Sequence, residues 1–116
     1  MRVLVCGGRT FGKYQVIVDW ISDVMSSCPI EVVIHGGAPG ADSLAGKAAF
    51  ALRLPVMVFP ANRDGYGKQA GPKRNQWMLD LGQPNLVLAF PSIGSKGTWD
   101  MVKRAEAAGI TTRIYE

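Results

Sequence analysis

The residues of this chain that have chemistry to offer gather where apolar runs end in glycine. Phe90-Pro91-Ser92-Ile93-Gly94-Ser95-Lys96-Gly97-Thr98 follows Asn85-Leu86-Val87-Leu88-Ala89 and precedes a helical pattern starting near Trp99. A strand, a polar loop and a helix in that order leave unpaired backbone N–H groups beside the positive end of the helix dipole, which favours an anion such as phosphate. Ser95, Lys96 and Thr98, around Gly97, add two hydroxyls and a cation. Two other junctions share this grammar. Val3-Leu4-Val5-Cys6 runs into Gly7-Gly8-Arg9-Thr10, and Val32-Val33-Ile34-His35 runs into Gly36-Gly37-Ala38-Pro39-Gly40-Ala41-Asp42-Ser43.

Other candidates stand apart from these turns. Arg74 and Asn75 fall in the first turn of a later helix, where an arginine suits bidentate contact with phosphate or carboxylate. Arg63, Tyr66 and Lys68 lie in a long polar segment from Pro60 to Gly71, and Tyr66 there is placed to stack on a purine. His35 is the one histidine of the chain. With no evident carboxylate partner, it reads as a packing or ligand-bonding residue rather than a general base.

The elements that must position these residues follow from periodicity. Residues 2–6 are a Val- and Leu-rich run, as in a strand buried on both faces of a parallel sheet. From Lys13 to Cys28, Ile17, Trp20, Ile21, Val24, Met25 and Cys28 recur at helical spacing until Pro29. Further strands are expected at 31–35, 56–59, 85–90 and 111–115. Further helices are expected from Ala41 to Leu54, capped by Asp42 or Ser43, from Pro72 through Leu81, and through Val102, Ala105 and Ala108 to Gly109. This alternation implies an α/β fold, a doubly wound sheet of about five parallel strands with helices on both faces and the first and fourth strands adjacent. In such a sheet the ligand lies outside the carboxyl ends of the strands, where the strand order reverses, and all three glycine turns fall on that edge.

The 116 residues fit one domain spanning 1–116, with 47% apolar and 19% charged side chains. No apolar run approaches the roughly 18 residues that cross a bilayer, and no secretory pattern opens the chain, so a cytoplasmic protein with no membrane partner is expected. Cys6 and Cys28 form no CxxC or Cys/His cluster and read as reduced thiols, with no metal site. The net charge of +4 suits an anionic partner without requiring one.

Several familiar motifs are excluded. Gly7-Gly8-Arg9-Thr10-Phe11-Gly12-Lys13-Tyr14 follows the P-loop pattern through its lysine and then puts Tyr14 where Ser or Thr would hold magnesium. The dinucleotide fingerprint G-x-G-x-x-G is absent, and Ser43 lies between Ala41 and Ala45 rather than in a nucleophile elbow.

Four segments in order carry a resemblance. Val-Cys-Gly-Gly-Arg at 5–9, His-Gly-Gly-Ala-Pro-Gly-Ala-Asp at 35–42, Tyr-Gly-Lys-Gln-Ala-Gly-Pro-Lys-Arg-Asn at 66–75 with Met78, and Ser-Lys-Gly-Thr at 95–98 with Met101 resemble the YspA-like, YpsA-related branch of the SLOG superfamily. The resemblance implies a Rossmann-like sheet that binds nucleotides, ADP-ribose-like molecules or, as in DNA-processing members, single-stranded DNA. Its enzymatic relatives of the LOG type are phosphoribohydrolases, with an arginine matching Arg74 and a P-G-G-x-G-T-x-x-E motif after the fourth strand. Here Ser92-Ile93 replaces the glycine pair, the loop is two residues longer, and Met101 stands at the glutamate position. Asp100 is one residue away, about 100° around a helix.

The expectation is therefore a binding module for a nucleotide or ADP-ribose-derived ligand, a sensor or sequestering protein in a bacterium or a phage-infected cell, with no cofactor required. The ligand contacts would be Gly7, Gly8, Arg9, Thr10, His35, Gly36, Gly37, Asp42, Ser43, Arg63, Tyr66, Arg74, Asn75, Ser95, Lys96, Gly97 and Thr98. One alternative is a hydrolase of a nucleotide N-glycosidic bond, with Arg74 and Asp100 as catalytic residues. Another is a single-stranded nucleic-acid binder. Trp77, Met78 and Trp99, together with the habits of such relatives, lead to an expected homodimer or higher homo-oligomer.

Overall fold

Runs of β-branched residues in short segments, each closed by glycine or proline, produce five strands. In the computed structural model, which describes residues 1–116 apart from the Arg63 side chain, they are β1 (Arg2–Gly7), β2 (Val32–His35), β3 (Val56–Val58), β4 (Leu86–Phe90) and β5 (Thr111–Ile114). They form one sheet in the order β3-β2-β1-β4-β5, with every neighbouring pair parallel. The register sets Leu4 beside Ile34 on one side and Val87 on the other.

Helices cover both faces. Helix α1 (Tyr14–Ser27) and α2 (Ala41–Ala51) pack Ile17, Ile21, Ala45 and Ala48 against Val3, Val5, Val33 and Leu88. On the opposite face α4 (Ala70–Asp80) and α5 (Lys96–Ala107) pack Met78, Met101, Val102 and Ala105 against Leu4, Ile34, Val87 and Ala89. Strands β1 and β4 are nearly dry on both sides, which is why their sequences do not alternate. This is the expected Rossmann-like arrangement.

The chain runs outward from β1 through β2 to β3, then returns to β4 on the other side of β1. The strand order therefore reverses between β1 and β4, and their carboxyl ends open a crevice between the turns that follow them.

Local differences from the sequence-based expectation have physical causes. The segment 60–71 is not a plain loop. It holds a single helical turn, α3 (Arg63–Tyr66), then a 3₁₀ turn over Gly67–Gln69. Asn62 starts α3, its Oδ1 accepting from Gly65 N at 3.0 Å and its carbonyl from Tyr66 N at 3.0 Å. The 3₁₀ turn leads straight into α4, which begins at Ala70, two residues before Pro72. Helix α2 ends at Ala51, because Arg53 adopts φ 59° and turns the chain toward β3. Helix α5 begins at Lys96 rather than near Trp99. Met78, expected to help form an oligomer surface, is 2% exposed and belongs to the core, whereas Trp77 and Trp99 are exposed.

Among the described residues, no helix is long and apolar enough to cross a membrane, and no cluster of three or more His, Cys, Asp or Glu could hold a metal ion.

Candidate functional site

The crevice at the reversal point is a cavity of about 400 Å³ walled by the turns after β1 and β4 and by the first turns of α4 and α5. Each wall is fixed by its own bonds. After β1, Gly8 N donates to the Phe90 carbonyl at 3.0 Å, and the Gly8 carbonyl accepts from Phe11 N and Ala41 N, both at 3.2 Å. The Phe11 ring then packs on Phe90 at 5.3 Å and edge-on to Tyr115 at 5.8 Å. A side chain at Gly8 would run into Ser92, so the turns after β1 and β4 abut at a point only glycine allows. Arg9 and Thr10 remain exposed on the cavity wall.

The turn after β2 is closed from inside. Asp42 was expected as a helix cap, yet its buried carboxylate folds back, and Oδ2 accepts from Gly36 N at 3.1 Å and Ala38 N at 3.2 Å. Burial holds this carboxyl above the ordinary range, while the N–H bonds from Ala38 and Gly36 and the charges of Arg74 and Arg9 pull it partway back.

Helix α4 delivers Arg74 and Asn75. Arg74 Nη1 donates to the Gly36 carbonyl at 2.8 Å, and its Nε to Asn75 Oδ1 at 3.1 Å. Asn75 Nδ2 reaches across to the Gly97 carbonyl at 3.1 Å and to Asp100 Oδ2 at 2.9 Å. At the start of α5, Thr98 is 3% exposed and its Oγ1 has no hydrogen-bond partner among the described residues. A buried hydroxyl without a partner is uncommon in folded proteins, and Thr98 lines the cavity near a helix N-terminus.

The structure brings Gly7, Gly8, Arg9, Thr10, Asp42, Arg74, Asn75, Ser95, Lys96, Gly97 and Thr98 to this one cavity. The remaining expected contacts fall elsewhere. His35 shares a strand face with Val33 and points toward α2, where its ring lies against Gly46. Its Nδ1 accepts from Gly37 N at 3.0 Å, and burial, reinforced by the Arg74 charge, pushes its pKa down and favours the neutral ring. Gly36 and Gly37 lie behind the wall, Gly36 acting through Arg74, and Ser43 caps outward onto the Ala38 carbonyl at 3.0 Å. Tyr66 is not in the cavity. It packs edge-on to Trp77 at 5.7 Å, with Lys73 Nζ 4.9 Å from its ring centre. The Arg63 side chain lies outside the described residues.

Asp100 does not line the cavity either. Its Oδ2 accepts from Asn75 and, at 2.8 Å, from Arg104 Nε, while Arg104 Nη1 donates to Gln76 Oε1 at 2.9 Å. Met101, next to it, is fully buried in the core. Cavity residues that were not among the expected ligand contacts are Cys6, Ala38, Gly71, Met78, Ser92, Ile93 and Gly94. Cys6 and Met78 form an apolar floor, and burial drives the Cys6 thiol far above its usual range. Their signal in the sequence was position alone, at a strand end and on the inner stripe of α4.

Comparison with known proteins gives three findings. A family model described as the YspA, cpYpsA-related SLOG family matches residues 1–66. The Gene 61 protein of Mycobacterium phage D29 is 35% identical over 115 residues, spanning 94% of this chain and 91% of that protein. Among solved structures, DNA processing protein A (DprA) from Streptococcus pneumoniae matches with a TM-score of 0.77 at 18% identity, over 97% of this chain and 49% of that one. This chain thus spans about half the length of that protein, and the likeness is one of fold.

Proposed function

The chain belongs to the YspA, cpYpsA-related SLOG family, a membership that supports a nucleotide- or nucleic-acid-related function in general, and from it we propose a module that binds a nucleotide or ADP-ribose-derived ligand by its phosphate without cleaving it. The observation that carries this reading is the unpartnered, buried Thr98 Oγ1 at the N-terminus of α5. An anion seated there would accept from that hydroxyl and gain from the helix dipole. The surrounding charge supports it: among the described cavity residues, the cations Arg9, Arg74 and Lys96 face a single carboxylate, Asp42. The donors are fixed by their loops, so little reorganisation opposes binding.

The same geometry disfavours hydrolysis of an N-glycosidic bond. Such a reaction needs a carboxylate near the ribose to steady developing charge or to position water. Asp42 is occupied by two backbone N–H groups, Asp100 is bonded to Asn75 and Arg104 outside the cavity, and position 101 is a core methionine. A sensor or a sequestering protein is the role that fits binding without turnover.

Titration calorimetry with ADP-ribose and nucleoside phosphates, followed by chromatography of the same mixtures after long incubation, tests both halves. Heat of binding with ligand recovered intact is the expected result. Release of free base or ribose phosphate would replace this reading with the hydrolase, and absence of binding to any of them would end it.

A further inference from the structure

We infer that Ile93 is a specificity-determining contact of the cleft, selecting an anion that carries a flat or apolar group over the same anion without one; this rests on the phosphate-binding reading above. Ile93 is 104% exposed, although it stands on the cavity wall. The other large apolar residue there, Met78, is 2% exposed and forms the floor. Isolated apolar side chains are ordinary on protein surfaces. Ile93 differs because its support holds it in the open.

That support is the four-residue turn Ser92–Ser95. Ser95 N donates to the Ser92 carbonyl at 3.1 Å, and Ser95 Oγ both donates to that carbonyl at 2.7 Å and accepts from Ser92 N at 3.0 Å. Gly94, at φ 74°, takes the left-handed position of the turn and leaves Ile93 at its outer corner. The base of the turn is blocked by Gly8, which leaves no room for Ser92 to shift toward β1. The backbone carrying Ile93 therefore cannot turn toward the core without breaking these three hydrogen bonds.

A phosphate on Thr98 would carry the rest of its molecule along the wall on which Ile93 stands. The face of a nucleobase would take the isoleucine out of water there, whereas a sugar hydroxyl or a second charge would gain nothing from it. The chemistry selected is a nucleoside phosphate rather than a bare sugar phosphate.

The test is calorimetric titration of the full chain and of Ile93→Ser and Ile93→Leu with two probes, adenosine 5′-monophosphate and ribose 5-phosphate. Ile93→Ser is expected to weaken the nucleotide about fivefold, as for withdrawing roughly half an isoleucine side chain from water. Ribose 5-phosphate should change by less than about twofold, and Ile93→Leu should stay close to the wild type with both probes. An unchanged nucleotide affinity in Ile93→Ser, or an equal loss for both probes, overturns the inference while leaving phosphate binding standing. A wild type that binds neither probe overturns this inference, and one that also fails to bind ADP-ribose overturns the phosphate reading with it.

Discussion

Arg74 Nη1 donates to the main-chain carbonyl of Gly36 at 2.8 Å, which ties the first turns of α4 to the end of β2, 38 residues earlier in the chain. The contact is close enough that a methyl group on Gly36 would overlap the guanidinium. Arg74 is thus aimed by a backbone atom at Nη1, with the Asn75 side chain accepting from its Nε.

Two substitutions separate the aim of Arg74 from its charge. Gly36→Ala keeps the arginine but displaces it, and Arg74→Lys keeps a charge but removes the planar fork. Both should weaken ADP-ribose or nucleotide binding by at least several fold, in line with a charged hydrogen bond worth about 1.5–3 kcal/mol. Titration calorimetry checks this, and an unaffected Arg74→Lys would remove Arg74 from the ligand site.

Thr98→Val replaces an unpartnered buried hydroxyl with a methyl group of nearly the same shape. Removing an orphan polar atom should leave thermal stability unchanged or slightly higher. Phosphate affinity should fall by about tenfold. A stability gain together with a binding loss, seen by thermal melts with and without nucleotide, is the signature of a donor kept for a ligand.

Asp100→Asn tests the separation of the carboxylate from the cavity. Asp100 and Arg104 are each about a third exposed, with side-chain exposures of 33% and 32%, so losing their ion pair should cost at most about 1 kcal/mol. Nucleotide affinity should stay within about twofold. A wild type that cleaves nucleotide and an Asp100→Asn variant that does not would restore Asp100 to a catalytic role.

His35 gives the fold a pH dependence. Its folded pKa lies below the ordinary 6.5, so on acidification the unfolded chain takes up a proton before the folded one does. The His35 contribution is thus full above pH 6.5 and is lost as pH falls from there toward the lowered folded value. Asp42 acts oppositely: its folded pKa is raised above 3.8, so acidification through the window just above that value favours the folded state. Comparing urea midpoints of the wild type and His35→Gln across mildly acidic pH isolates the first effect. The variant should lack the decline just below pH 6.5.

The parallel sheet and the adjacency of β1 and β4 were readable because apolar runs alternating with helical patterns, with glycine turns at the ends of β1, β2 and β4, fit a parallel, doubly wound sheet. Side-chain direction was less legible. His35 and Val33 share a face by strand alternation, which puts the histidine under α2, but proximity to glycines suggested the cleft. Tyr66 looked free to meet a ligand because nothing local predicts Trp77, eleven residues later, as its partner. Asp42 carried the signature of a helix cap, and only the folded turn shows its oxygen committed to Gly36 and Ala38.

Met101 sits with no exposure among Leu4, Cys6, Ala89 and Val102, which closes this position to a charge. A glutamate placed there alone would lose its water without gaining a partner, at a cost of several kcal/mol. An ancestor or a designer introducing a carboxylate at this position would therefore need at least two steps. The first would have to open a polar path beside the helix before the carboxylate could be tolerated.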